Sequence, residues 1–217
     1  MLSTDPRDLL LSWFDIALDA VGGRQCVRAA VAKKSFQGPV SLIVVGKAAV
    51  AMAQGAHDVL GDRIESGFVV TKYGYEGPLP WPVLTAGHPL PDQASLDAGQ
   101  ALLAFIDSIP QKSEVLFLLS GGASSLVEVP APGVELDDLR QLNEWILGSG
   151  IDIVTTNELR KRLSMIKAGR LAQYLAPRTT VCLTISDVPG NDPRTIGSGP
   201  LVMSAQFELP QTLPAWV

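Results

Sequence analysis

Five short apolar runs punctuate the chain: Leu42–Val45, Gly67–Thr71, Pro82–Thr85, Val115–Leu119 and Thr180–Ile185. Their near-continuous hydrophobicity predicts strands buried on both faces, as in a parallel sheet. Helical patterns lie between most of them. Ala48–Leu60 is rich in alanine, and Gln93–Ile109 carries Leu96, Leu102, Leu103 and Ile106. The connection from the fourth strand to the fifth is long enough for three helices, one marked by Leu136, Leu139, Leu142 and Ile146 and another by Leu159, Leu163 and Ile166. Ahead of the first strand, Leu9, Leu10, Trp13, Ile16, Ala17 and Ala20 follow helical spacing behind a Thr4 or Asp5 cap and Pro6. Gly22-Gly23 interrupts, and a second helix is expected to run to about Phe36. Alternating strands and helices predict an α/β fold class: a Rossmann-like three-layer domain over residues 1–200, with right-handed crossovers and a mostly parallel sheet of about five or more strands. Pro210 and Pro214 predict an irregular tail over 201–217.

Composition narrows the function classes. Of 217 residues 47% are apolar and 18% charged, which is enough to build a core and excludes wholesale disorder. Seventeen Lys+Arg against 22 Asp+Glu leave a net charge of −5, the wrong sign for a general nucleic-acid binder. Two cysteines cannot form a dense disulfide framework, and Cys182, inside an apolar strand, is expected to be a buried free thiol. No apolar run is long enough to cross a membrane, and Met1–Asp8 holds no signal-peptide stretch, so a cytoplasmic location is expected.

In an open parallel sheet, ligands bind beyond the carboxyl ends of the strands. Gly46-Lys47 follows the first strand and opens a helix, where backbone N–H groups and a full positive charge favour an anion; a solvent-facing lysine is the plain alternative. It is neither a Walker A loop nor part of a G-x-G-x-x-G fingerprint, which occurs nowhere in the chain. Ser120-Gly121-Gly122-Ala123-Ser124 follows the most apolar strand and reads either as a phosphate loop or as a tight turn with hydroxyl caps. His88, beside Asp92 in a loop stiffened by Pro89 and Pro91, suits a hydrogen-bond donor or a general base, or is simply pinned there. Arg160, Lys161, Arg162, Lys167 and Arg170 crowd five cations into 11 residues; on one helix Arg160 and Lys167 would point the same way, as a carboxylate or polyphosphate clamp or as a solvated face. Asp187 and Asp192 leave the last strand in a loop shaped by Pro and Gly, where carboxylates can hold Mg²⁺ or merely make Asx-turns.

Taken in order, Gly46-Lys47-Ala48-Ala49, Gly87–Asp92, Ser120-Gly121-Gly122 with Ser124, Asn157–Ala172, Ser186–Pro193 and Ser198-Gly199-Pro200 resemble the N-terminal domain of the glycerate 2-kinase family. These are MOFRL-type glycerate kinases, many formerly labelled hydroxypyruvate reductases. The resemblance implies transfer of the ATP γ-phosphoryl group to the 2-hydroxyl of D-glycerate, with Mg²⁺, in a cleft completed by a second α/β domain. It assigns Lys47, His88 and Asp187 to catalysis, and Gly46, Ser120, Gly121, Gly122, Ser124, Arg160, Lys167 and Arg170 to nucleotide or substrate. Asp187 and Asp192 would hold the metal. The chain departs from the family's pattern at Ala123, Arg162 and Ala168, where a glycine, a histidine and a glycine are usual. It also stops soon after Pro200, so the second domain is expected to be absent, supplied by a second copy or a partner chain. A non-catalytic anion-binding relative, one half of a split kinase and, last, a hydroxypyruvate reductase are the alternatives.

Overall fold

The computed structural model of the chain describes residues 5–203, so most of the tail expected to be irregular lies outside the described residues. Five strands form one all-parallel sheet: β1 Val40–Val45, β2 Ile64–Lys72, β3 Val83–Ala86, β4 Glu114–Leu119 and β5 Thr180–Thr184. Their order across the sheet is β3-β2-β1-β4-β5. The α/β fold class read from the sequence is the one observed, and each predicted strand is present.

Strand periodicity accounts for the two-sided core. Ile43, Val45, Phe117 and Leu119 point to one face, where Ala98, Leu102 and Ile106 of α4 (Gln93–Ser108) cover them. Leu42, Val44, Leu116 and Leu118 point to the other, against Val27 and Val31 of α2 (Gly23–Val31) and Met52, Ala53 and Ala56 of α3 (Ala49–Leu60). The central strands β1 and β4 are buried on both faces for this reason. β5 is an edge strand, and there the expectation fails: Cys182 and Thr184 are exposed, so Cys182 is no core thiol.

Helix α1 (Pro6–Val21) starts as expected, with the Asp5 carboxylate accepting the Arg7 N–H at 2.8 Å and Pro6 in the first turn. None of its residues is buried. α2 ends at Val31, short of Phe36. The β4–β5 connection holds four helices rather than three: α5 Ala123–Leu126, α6 Leu136–Ser149, α7 Ile153–Arg162 and α8 Arg170–Leu175. α6 and α7 share a small cluster of their own, Leu142, Ile146 and Leu159, beside the main core. α7 stops at Arg162; Leu163 still packs beside Leu159 on the small cluster, but Ile166 leaves that face for the main core. The Ser164 hydroxyl instead accepts from the Ile166 and Lys167 N–H groups at 3.3 Å each and turns the chain.

The order of strands reverses between β1 and β4, whose connections run to opposite faces of the sheet. That switch opens a crevice at their carboxyl ends.

Candidate active site

The loops after β1 and β4 meet in this crevice through their backbones. The Lys47 N–H donates to the Gly121 carbonyl at 2.9 Å, and the Ala48 N–H to the Ser120 hydroxyl at 3.1 Å. Gly46 is required by the approach: with φ at 137° it lies so close that a β-carbon there would stand 2.6 Å from the Ser120 carbonyl oxygen. Gly122, with φ at 88°, fits between two side chains; a β-carbon would come within 3.0 Å of the His88 Nε2 and 3.1 Å of the Lys47 Cγ. The Asp187 carboxylate lies over Gly121, where an added β-carbon would be 2.6 Å from its Oδ2. Lys47, His88, Ser120, Gly121, Gly122 and Asp187, scattered over 141 positions in the sequence, thus converge on one crevice. Ala123 stands where glycine was expected, but its methyl group is buried in the core with Leu119 and Leu126, so it does not block the crevice.

His88 titrates below its ordinary value. Burial is the main cause, Lys47 and Lys72 add repulsion, and Asp187 opposes them in part. The imidazole is therefore neutral at pH 7 and able to accept a proton. Its loop is tied down by a group that sequence reasoning had only set beside it. The Asp92 carboxylate accepts from the Gly87 N–H at 3.1 Å, the Ser95 N–H at 3.0 Å and the Tyr73 hydroxyl at 2.8 Å. Asp92 is also the N-cap of α4, in a capping box with Ser95. Asp at one position and Ser three later, just before an apolar-periodic run, was a signal that could have revealed it.

The basic stretch does not form the expected clamp. The Lys167 ammonium is 2% exposed and ion-paired with the Glu128 carboxylate. The Arg170 guanidinium donates through Nη1 to the carbonyls of Lys161, Ser164 and Lys167 at 2.7, 2.9 and 3.3 Å, and so fastens the turn after α7. Lys161 pairs with Glu158 at 2.7 Å. Arg160 is bound to an amide rather than a carboxylate; its Nε and Nη2 both donate to the Asn143 Oδ1, at 3.1 and 2.7 Å. Ser124, two residues beyond Gly122, is on the wall of a crevice it shares with Arg160.

Asp192 does not join Asp187. Its carboxylate accepts from the Arg194 N–H at 2.9 Å and Nε at 3.0 Å, which holds it below the usual carboxylate range. Among the described residues no group of three or more His, Cys, Asp or Glu side chains could hold a metal ion. Asp187 still suits Mg²⁺, which is commonly held by one or two carboxylates together with substrate phosphates; Asp192, turned to Arg194, does not. Among the described residues no helix is long and apolar enough to cross a membrane.

A family described as a domain of unknown function, DUF4147, matches residues 9–210. The chain belongs to that family. This DUF4147 domain is 41% identical over 201 residues to a D-glycerate 2-kinase of Thermotoga maritima, covering 90% of this chain and 48% of that protein. It is 39% identical over 168 residues to a glycerate 2-kinase of Pyrococcus horikoshii, covering 77% of this chain and 38% of the other. The crystal structure of the T. maritima glycerate kinase superposes with a TM-score of 0.81 at 40% identity, over 87% of this chain and 46% of that one. The chain therefore spans about half the length of the relatives it matches, or less.

Proposed function

We propose that this DUF4147 domain carries the phosphoryl-transfer face of a D-glycerate 2-kinase. The observation that supports it best is the meeting of Lys47, the Gly121-Gly122 turn, His88 and Asp187 at the strand-order switch, in a chain 41% identical to a protein named D-glycerate 2-kinase. Phosphoryl transfer asks mainly for positioning and for neutralised charge. The Lys47 ammonium supplies a positive charge to the oxygens of the transferred group, and the tight Gly121-Gly122 turn lets phosphate approach the backbone. Asp187 would hold Mg²⁺, which when bound offsets charge on the nucleotide phosphates. His88, neutral at pH 7, takes the proton from the 2-hydroxyl of D-glycerate as that oxygen bonds to the γ-phosphorus. The bond from phosphorus to the bridging oxygen breaks, and ADP departs with its electron pair. ATP and a small hydroxy acid are the partners this chemistry requires.

The test is phosphorus NMR of the purified chain with ATP, Mg²⁺ and D-glycerate, beside Lys47→Ala. 2-Phosphoglycerate is the expected product, and the variant should lose about 10²–10³ in kcat/KM, the scale for removing one transition-state donor. Unchanged kinetics in a folded Lys47→Ala protein would remove Lys47 from the mechanism.

A further inference from the structure

We propose that Arg160 holds the carboxylate of the hydroxy-acid substrate, in a crevice walled by α6, α7 and the turn after β4. The assignment rests on the reading of the acceptor as a hydroxy acid and names the group that would recognise its acid end.

The direction of the guanidinium is fixed. Two of its N–H groups are bound to one acceptor, the Asn143 Oδ1. Asn143 is itself 6% exposed, and its Nδ2 donates to the Leu139 carbonyl at 2.7 Å, so its amide cannot swing away. An arginine carries five N–H donors, so donors remain beyond the two bound to Asn143, and Arg160 lines a crevice with Pro89, Ser124, Glu128, Asn143 and Lys167.

The charge there is unbalanced. Glu128 is the acid nearest to hand, but one of its carboxylate oxygens pairs with Lys167 and the other accepts the Val129 N–H at 3.0 Å. Glu128 and Lys167 cancel, leaving one positive charge without a counter-ion. Burial presses the Arg160 pKa down and Glu128 only partly restores it, as for a cation that lacks its own partner. The Ser124 hydroxyl, on the same wall, has no hydrogen-bond partner among the described residues and is a second donor for an entering anion.

The fork of an arginine matches the two oxygens of a carboxylate, and a hydroxy acid carries one. The position of the crevice is also apt. Ser124 lies two residues past Gly122, and Pro89 directly follows His88, so the crevice adjoins the loops that carry Gly122 and His88.

Calorimetric titration of the whole chain with D-glycerate, glycerol, inorganic phosphate and ADP, for wild type and Arg160→Gln, tests this. Arg160→Gln should weaken D-glycerate about 10- to 100-fold, the range for a charge-assisted hydrogen bond. It should leave ADP and phosphate affinities unchanged, and glycerol, which has no carboxylate, should not separate the two proteins. Should Arg160→Gln fail to fold, Arg160→Lys keeps the charge without the fork and should recover only part of the affinity. The inference falls if wild type does not bind D-glycerate, if a folded Arg160 variant binds it as wild type does, or if ADP or phosphate loses as much affinity as D-glycerate. The two readings separate cleanly. Arginine-dependent glycerate binding without phosphoryl transfer would overturn the kinase reading and keep the carboxylate site. Phosphoryl transfer with a glycerate KM untouched by Arg160→Gln would do the reverse.

Discussion

Ala168 sits in the left-handed region, with φ at 55°, directly before Gly169 at 82°. Its N–H donates to the Ser198 carbonyl at 3.1 Å, and Gly169 donates to Gly199 at 2.7 Å, so the loop cannot relax without losing both bonds. A β-carbon in this conformation costs about 1–2 kcal/mol, while glycine adds unfolded-state freedom worth about 0.4–1 kcal/mol. Ala168→Gly should therefore stabilise the chain by about 0.5–1 kcal/mol, read as a midpoint shift in urea unfolding; a loss of stability would mean that the methyl group packs usefully. The same stretch marks where single residues stop being legible. Lys47, Gly121 and Asp187 were readable because each directly follows an apolar run, and strand ends are where sites form. The fates of Lys167 and Arg170 were not. The partner of Lys167 lies 39 residues away, and the acceptors of Arg170 are backbone carbonyls, which no sequence displays.

Elements were legible in proportion to their burial. β1 and β4 are covered on both faces, and their unbroken apolar runs say so; β5 carries a similar run but lies at the edge, and strand order does not follow from composition. α7 misled because Leu159, Leu163 and Ile166 keep helical spacing, while the isolated bridge between Pro130 and Ser164 fixes the chain in a turn. α4 behaves as its ends dictate. Burial works against the charge on its N-cap, Asp92, but hydrogen bonds from Tyr73, Gly87 and Ser95 outweigh it and hold the carboxyl below its usual range. A depressed carboxylate stabilises the fold above its unfolded pKa of about 3.9, and that contribution disappears as pH falls through the lower folded value. Wild type should therefore exceed Asp92→Asn in stability by a constant margin from pH 8 to about pH 5, shrinking below about pH 4. A margin that does not change with pH would mean that the carboxylate's charge plays no part in the cap.

At the scale of the whole molecule, the discordant part is α1, with Leu10 62%, Trp13 56% and Phe14 59% exposed. The sequence disclosed a helix there but not that its apolar residues would lack cover, since periodicity reports a stripe and not what lies against it. In the chain as described, Trp13→Gln should alter stability by less than about 0.5 kcal/mol, against about 3–5 kcal/mol for losing a core aromatic. Chemical denaturation at several protein concentrations measures it; a loss above about 2 kcal/mol that grows with concentration would place another molecule over α1. The same helix governs how the protein behaves in strong salt. Sulfate is excluded from protein surfaces and penalises wetted hydrocarbon, so ammonium sulfate should salt this chain out sooner than its −5 charge would suggest, with α1 as the first surface to leave water.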